Sequence, residues 1–233
     1  VYSPKGGTGV TTLAINLSIA LQSATNQVLI LDGNFQFGSV PLFINEPSKN
    51  TIVELTSRYG QLDAEFIKEV VPLHTKSGVR FLPAPQHLEE AEQITAEQYQ
   101  TVLGALRDEF GTIVIDATHT INDILLTSLD MADSIIVVLT QDIPAIQNTR
   151  VLLDLLSSLK IPKEKITLVM NRYDKRISIT SEKVGDSLKM PMEFSIPLDD
   201  KIVLTSVNRG LPFMINPVNE PVVQQVQNLA MAI

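Results

Sequence analysis

Cysteine is absent from the 233-residue sequence, and basic residues are few. Because there is no cysteine, disulfide bonds and thiolate metal sites are excluded, and a reducing cytoplasm suits the chain. Long apolar runs are also lacking: a stretch such as Ile135 to Leu139 is far shorter than the roughly 18 residues that a membrane span needs. These absences predict a cytoplasmic protein without a transmembrane segment.

The balance of charge is acidic, with 18 Lys and Arg residues against 26 Asp and Glu residues and a net charge of −8. The pI is near 4.9. A free-standing nucleic-acid binder usually has a basic patch and a high pI, so the composition disfavours DNA as a partner. The length and the hydrophobic content of 44% are those of one well-packed globular domain.

Four apolar runs are continuous rather than alternating, which is typical of strands covered on both faces of a parallel sheet. These predicted strands are Val28 to Leu31, Thr112 to Ile115, Ser134 to Leu139 and Ile166 to Met170. Amphipathic stretches between them predict helices at Thr11 to Gln22, Ala96 to Phe110, Ile143 to Leu159 and Ser181 to Lys189. Thr95 and Gln98 are placed to form a capping box for the second of these helices. The alternation predicts an α/β fold over residues 1–233, a single doubly wound domain with a mostly parallel sheet flanked by helices.

A glycine-rich segment, SPKGGTGVTT at residues 3–12, precedes a strongly apolar helix. Its glycines let backbone N–H groups converge on phosphate oxygens, and the helix N-terminus adds partial positive charge. The general phosphate-loop pattern ends in G-K-[ST], but Val10 takes the place of that lysine. Lys5 can supply the missing cation, and Thr11 has the hydroxyl position that coordinates Mg²⁺. A glycine-rich turn that merely opens a helix is the alternative interpretation.

The arrangement K-G-G-x-G-x-[ST]-T resembles the deviant Walker A loop of the ParA/MinD family of P-loop ATPases. The resemblance implies that ATP or ADP binds with Mg²⁺ at Lys5, Gly6, Gly7, Thr8, Gly9, Val10, Thr11 and Thr12. It also implies that Lys5 is the signature lysine, which reaches across an ATP-sandwiched homodimer to the nucleotide of the partner.

Two acids follow apolar strands. Asp116 ends the run IVID, a Walker B arrangement, at the carboxyl end of a predicted parallel strand, where ligands of open α/β sheets bind. In the family resemblance, Asp32 matches the first acid of the D-x-D switch region, and Asn34 falls on the second, which positions or activates the attacking water. The implied metal site is Thr11, Asp32 and Asp116, and the implied catalytic residues are Lys5, Asp32 and Asn34. Since an amide can orient water but cannot accept its proton, we expect a weak, slow ATPase. Alternatively, Asp32 only caps the turn that leads from its strand into the following loop.

Two later segments are similar to the base-binding region of the family. Asn171 in VMNR matches an Asn that bonds the adenine edge, and its amide offers both a donor and an acceptor. The segment FSIPLD resembles an I-P-x-D segment whose backbone lies along the base. The implied nucleotide contacts are Asn171, Arg172, Pro197, Leu198 and Asp199. Either segment could also be an ordinary strand end with its loop.

Within the family, the segments LDGNFQFGSV, LPAPQHLEEAEQIT, TQDIPAIQNTR and SIPLDDKIVLTSVNRGLPF look like the CpaE/TadZ branch, which is associated with Tad (Flp) pilus assembly at cell poles. The resemblance implies a dimerising switch that works with pilus or secretion machinery or with polar-localisation proteins. Members of this branch commonly carry an upstream receiver-like domain. A strand that feeds a phosphate loop needs about five residues, and only two precede Ser3, so we expect a domain excised from a longer protein.

Other functions are weighed against this one. A DNA-partitioning ATPase needs Lys/Arg clusters for phosphate contacts, which the acidic pI disfavours. A MinD-type septum-positioning ATPase ends in a basic membrane helix, whereas the tail from Pro221 has apolar Val222, Val226, Leu229 and Ile233 at helical spacing and no Lys or Arg. We expect this tail to pack in the core or against a partner, without direct membrane binding. A nucleotide-dependent scaffold that scarcely hydrolyses ATP stays open, and His119 is expected to be a surface residue.

Overall fold

The computed structural model describes all 233 residues. The strands are β1 (Val28–Gly33), β2 (Arg80–Leu82), β3 (Thr112–Ala117), β4 (Ile135–Leu139), β5 (Ile166–Tyr173) and β6 (Met192–Pro197). The helices of the first half are α1 (Val10–Leu21), α2 (Val40–Ile44), α3 (Ile52–Thr56), α4 (Ala64–Val70), α5 (Leu88–Gln93) and α6 (Ala96–Glu109). Those of the second half are α7 (Asp123–Met131), α8 (Ile143–Ser158), α9 (Ser181–Leu188), α10 (Asp200–Arg209) and α11 (Pro221–Ala232), with a 3-10 turn at Lys163–Lys165.

Two residues join two three-stranded halves into one parallel sheet. One half has the order β2-β1-β3 and the other β4-β5-β6, and every pair within them is parallel. Val1 lies against β3, where its amino group donates to the Ile115 carbonyl. Tyr2 pairs in parallel with Val137 of β4. The order across the molecule is therefore β2-β1-β3-(1–2)-β4-β5-β6, which confirms the predicted parallel sheet flanked by helices.

Helices cover both faces of this sheet, which explains why the strands read as continuous apolar runs. In β4, Ile135, Val137 and Leu139 pack with α7, α8 and α9, whereas Ile136 and Val138 pack with α1 and α11. The other half repeats the arrangement, with α3, α4 and α6 on one face of β1 and with α1 and α2 on the opposite face. Loops at the carboxyl ends of the strands are left free to form a site.

The four predicted strands and four predicted helices are all present, and no end is shifted by more than three residues. The Thr95 capping box is confirmed, since Thr95 Oγ1 accepts from the Gln98 N–H and Gln98 Oε1 accepts from the Thr95 N–H. The prediction did not include β2, β6, the short helices α2 to α5, or the helices α7 and α10. Strand β2 has three residues and α5 buries none of its side chains, so neither carries a clear apolar period.

The tail forms α11 and packs against α1, with Val222, Val226 and Leu229 buried. Its packing in the core confirms one of the two expected placements. Ile233 differs from that expectation, because it lies beyond the last turn and is 47% exposed. None of the helices is both long and apolar enough to cross a bilayer.

Candidate nucleotide-binding site

The glycine-rich loop follows Val1 and Tyr2, which lie at the centre of the sheet, and leads directly into α1. Gly7 and Gly9 have φ angles of 77° and 94°, in the left-handed region that favours glycine. Gly9 is the N-cap of α1 and uses no side chain for capping. No atom lies within 4 Å of where a Cβ would stand on Gly6 or Gly7. The loop thus combines open backbone with a helix N-terminus, which is the geometry that binds phosphate.

Lys5 lies in this loop and forms an ion pair that the sequence analysis did not predict. Its Nζ donates to Asp142 Oδ1 at 2.8 Å, and each side chain is a little over one third exposed. Asp142 is also the N-cap of α8, accepting from the Ala145 N–H at 3.0 Å. The capping role is visible in the sequence as an acid before I-P, but its contact with Lys5, 137 positions away, is not. The lysine is therefore held within its own chain.

Val10 and Thr11 start the helix and face different surroundings. The Val10 side chain is partly buried against the apolar cluster under α1 and α11. The Thr11 hydroxyl lies close enough to the Asp116 carboxyl to lower its pKa. Thr11 and Asp116, two of the three proposed metal ligands, are therefore adjacent, while Val10 contributes no charge to the loop.

Asp32 and Asp116 form a buried acid pair at the carboxyl ends of adjacent strands. They are register partners across β1 and β3, and they are 0% and 3% exposed. Burial raises the pKa of both carboxyls above the ordinary aspartate range, and the charge of Asp32 raises the pKa of Asp116 further, while the nearby Thr11 hydroxyl opposes that rise. A buried acid pair favours a nearby cation. Two carboxyls beside the Thr11 hydroxyl are a donor set that fits Mg²⁺, which uses few carboxylates and keeps water and phosphate oxygens.

Asp32 also organises the loop that follows β1. Its Oδ1 accepts from the Asn34 N–H at 3.3 Å and its Oδ2 from the Val40 N–H at 3.0 Å. These contacts are those of the turn-capping alternative, and they coexist with the pairing to Asp116. The Asn34 amide bonds the backbone of Phe37, donating to its carbonyl at 3.1 Å and accepting from its N–H at 3.4 Å. Asn34 is thus a clamp within its own loop.

The residues predicted to bind the base lie together beside the phosphate loop. A cavity of about 40 Å³ is lined by Gly9 and Thr12 of the loop and by the predicted contacts Asn171, Arg172, Pro197, Leu198 and Asp199. Asn171 closes it, since its Nδ2 donates to the Thr8 carbonyl at 2.7 Å. The Asn171 Oδ1 accepts from the N–H of Arg172, an exposed residue with φ of 54°. Asp199 is the N-cap of α10, accepting from the Ile202 N–H at 2.9 Å.

The structure therefore gathers the predicted residues into two neighbouring groups. The phosphate loop, Thr11 and the acid pair form the first, and the Asn171 cavity forms the second. His119 is exposed, as expected.

The chain is similar to known proteins in sequence and in fold. Residues 1–170 match the model of the AAA_31 family, described as an AAA domain. The chain belongs to this family. Over 221 residues, the chain is 28% identical to the septum site-determining protein MinD of Synechocystis. The matched region covers 92% of this chain and 80% of that protein.

Solved structures share the fold over nearly the whole chain. A ParA family ATPase from Chlorobium tepidum superposes with a TM-score of 0.92 at 21% identity, covering 100% of this chain and 97% of that one. MinD from Pyrococcus horikoshii, solved with Mg-ADP, gives a TM-score of 0.83 at 23% identity, covering 99% and 93%. The AAA domain described here therefore has the fold of ParA/MinD-type P-loop ATPases.

Proposed function

We propose that this AAA domain is an ATP-dependent dimerising switch that hydrolyses ATP slowly and localises or assembles Tad (Flp) pilus machinery. The observation that carries the nucleotide part is the phosphate loop at the sheet centre, with Thr11 beside Asp116 of a buried acid pair. Backbone N–H groups of residues 6–12 would bind phosphate oxygens. Thr11, Asp32 and Asp116 would hold Mg²⁺, which supplies positive charge that offsets the charge of the phosphates.

The dimer part of the proposal rests on Lys5 and its surroundings. Lys5 is tied to Asp142 within one chain, and its release would free the ammonium group to reach the nucleotide of a second copy. Ile143 follows Asp142 and is 68% exposed. An exposed apolar side chain beside the residue that holds Lys5 suits burial against another chain.

Slow hydrolysis follows from two residues. Val10 brings no charge to the phosphates, and loss of one transition-state contact of this kind costs about 2.7–4 kcal/mol, or roughly 10²–10³ in rate. Asn34 cannot accept a proton, and loss of a general base costs roughly 10²–10⁴. The two losses need not add. Asn34 is also engaged with Phe37, so positioning a water would require it to leave the clamp. A scaffold that binds ATP and scarcely turns it over is the limiting form of this proposal.

The pilus part of the proposal is supported by the resemblance to the CpaE/TadZ branch. In that branch the second Walker lysine is often missing, and here Val10 takes its place. We propose that the chain is one domain of a longer protein with an upstream receiver-like domain, and that it is recruited to the cell pole. A positioning ATPase for another cargo is the second candidate, favoured by the similarity to MinD. Tad pilus production in a deletion strain complemented with wild type or Lys5→Ala separates the two candidates.

The biochemical test is titration calorimetry followed by sedimentation. We expect ATP and ADP to bind with Mg²⁺, and ATP alone to promote a homodimer. Lys5→Ala should weaken the dimer more than it weakens nucleotide binding, whereas Lys163→Ala, an exposed lysine on the 3-10 turn before β5, should behave as wild type. Absence of binding at millimolar nucleotide would remove the proposal, and identical monomer populations in ATP and ADP would remove its dimer part.

A further inference from the structure

Tyr99 lies in the first turn of α6 and contacts the two segments that follow the acid pair. Its ring meets Phe35 edge to face, with centroids 5.7 Å apart and planes at 81°. Its hydroxyl lies 2.8 Å from Ser128 Oγ of α7. Both Tyr99 and Phe35 are buried in the apolar cluster between β1 and α6. One side chain therefore touches the loop after Asp32 and the helix after Asp116.

The direction of the hydroxyl bond follows from a second bond. Ser128 Oγ donates to the Ile124 carbonyl at 2.8 Å, so it accepts from the Tyr99 hydroxyl. A hydroxyl pair buried in an apolar cluster is costly unless each member is satisfied, and a satisfied pair favours one relative arrangement of its elements. The pair thus fixes the register of α7 against α6.

The contact with Phe35 leads to the Asp32 carboxylate. Phe35 lies between Asn34 and Val40, and the N–H groups of those two residues donate to the two oxygens of Asp32. Asn34 directly precedes Phe35, so displacing Phe35 would move the Asn34 donor, whereas Val40 begins α2 and packs in another cluster. The orientation of Asp32 therefore depends on Phe35, and the position of Phe35 depends on Tyr99.

We infer that Tyr99 is a positioning residue for the metal end of the nucleotide site, because it ties the loop that holds Asp32 to the helix that follows Asp116. The inference rests on the proposed function, in which Asp32 and Asp116 hold Mg²⁺. Tyr99 touches neither metal nor nucleotide. Its effect passes through Phe35 on one side and through Ser128 on the other.

The test compares the affinity for ADP with and without Mg²⁺ in the same variant. The ratio of the two dissociation constants measures how much Mg²⁺ strengthens ADP binding. A general loss of stability affects both constants and therefore leaves this ratio unchanged. Tyr99→Phe removes the hydroxyl and keeps the ring, and Ser128→Ala removes its acceptor. Thr127→Ala is the matched control, since Thr127 Oγ1 donates to the Asp123 carbonyl at 2.8 Å, the same type of bond in the same helix without the tyrosine.

We expect Tyr99→Phe and Ser128→Ala each to reduce the gain in affinity from Mg²⁺ by about 10-fold, the lower end of effects for residues that support metal ligands. Thr127→Ala should keep the wild-type ratio. The double variant should lose no more than one single variant, because the two hydroxyls act as a unit. An unchanged ratio in Ser128→Ala overturns the inference even if Tyr99→Phe fails to fold. If the wild type binds no nucleotide, both the proposed function and this inference are overturned. If the wild type gains affinity from Mg²⁺, the proposed function stands, and the variants test the inference about Tyr99 separately.

Discussion

Lys5 Nζ and Asp142 Oδ1 are 2.8 Å apart, so the lysine that we propose for the dimer contact is neutralised by the residue that caps α8. The two functions of Asp142 can be separated by substitution. Asparagine can still accept from the Ala145 N–H, because Asn is as good an N-cap as Asp. It has no charge to hold Lys5. This relationship makes the dimer equilibrium accessible to a single change.

Asp142→Asn should raise the fraction of dimer at a given ATP concentration. Both side chains are partly exposed, and exposed ion pairs contribute about 0.2–1 kcal/mol, so the gain per protomer should be at most about fivefold. Sedimentation velocity in ATP and in ADP measures it. Asp133→Asn, which breaks the exposed pair with Arg107, is the control. Less dimer in Asp142→Asn than in wild type would show that the acid assists the lysine.

Asn34→Asp should raise the rate of ATP hydrolysis, by up to the roughly 10²–10⁴ associated with a general base, with nucleotide affinity nearly unchanged. The aspartate also loses the bond from Asn34 Nδ2 to the Phe37 carbonyl. Asn34→Ala therefore serves as the control, because it opens the clamp without adding a carboxylate. Phosphate release under single-turnover conditions is the measurement. Equal acceleration in both variants would assign the effect to loop opening, and a slower Asn34→Asp would place the water on another group.

Asn16→Ala should destabilise the fold by about 1–3 kcal/mol, the cost of a buried donor left without an acceptor. Asn16 is 2% exposed in α1, and its Oδ1 accepts from the buried N–H of Met214 at 3.0 Å. Ser18→Ala in the same helix is the control, since the Ser18 hydroxyl donates only to the Ala14 carbonyl. Urea unfolding gives the comparison, provided that the slope m is unchanged. Similar midpoints for the two variants would contradict the prediction.

His74 should make the protein less stable as the solution becomes acidic. It is 1% exposed, its Nδ1 lies 2.7 Å from Ser77 Oγ, and its Nε2 makes no hydrogen bond. Burial lowers the pKa of His74, the charge of Glu46 opposes this, and Lys76 adds to it. The unfolded chain then binds more protons than the folded one, so stability falls as the pH drops through the unfolded value near 6.5.

His74→Gln should flatten this dependence between about pH 7 and pH 5. The readout is the slope of unfolding free energy against pH, so a uniform loss of packing does not affect the comparison. His119→Gln, at an exposed position, is the control. A wild-type slope in His74→Gln would mean that another group binds the proton.

The sequence could predict the parts of the fold that depend on local pattern. Val28 to Leu31 and Ile135 to Leu139 read as buried strands because helices cover both faces, and Thr95 reads as an N-cap because the capping box is local. The lysine partner Asp142 could not be found this way, since the pairing depends on where α8 begins relative to the loop. Nor could Asn34 be read as a clamp for Phe37, because the identity of the residue does not say which way a six-residue loop folds back.

Within the sheet, the two halves are joined by backbone bonds from Val1 and Tyr2, and α1 packs against both halves. Tyr2 donates to the Ile136 carbonyl and accepts from the Val138 N–H, while Val1 bonds Ile115 and Ala117 on the other side. The phosphate loop begins at the very next residue, so a ligand that immobilises the loop also stiffens this joint. Heating the ligand-free chain should therefore allow the halves to part before either melts, giving a broad calorimetric transition. Saturating ligand should sharpen it into one cooperative step.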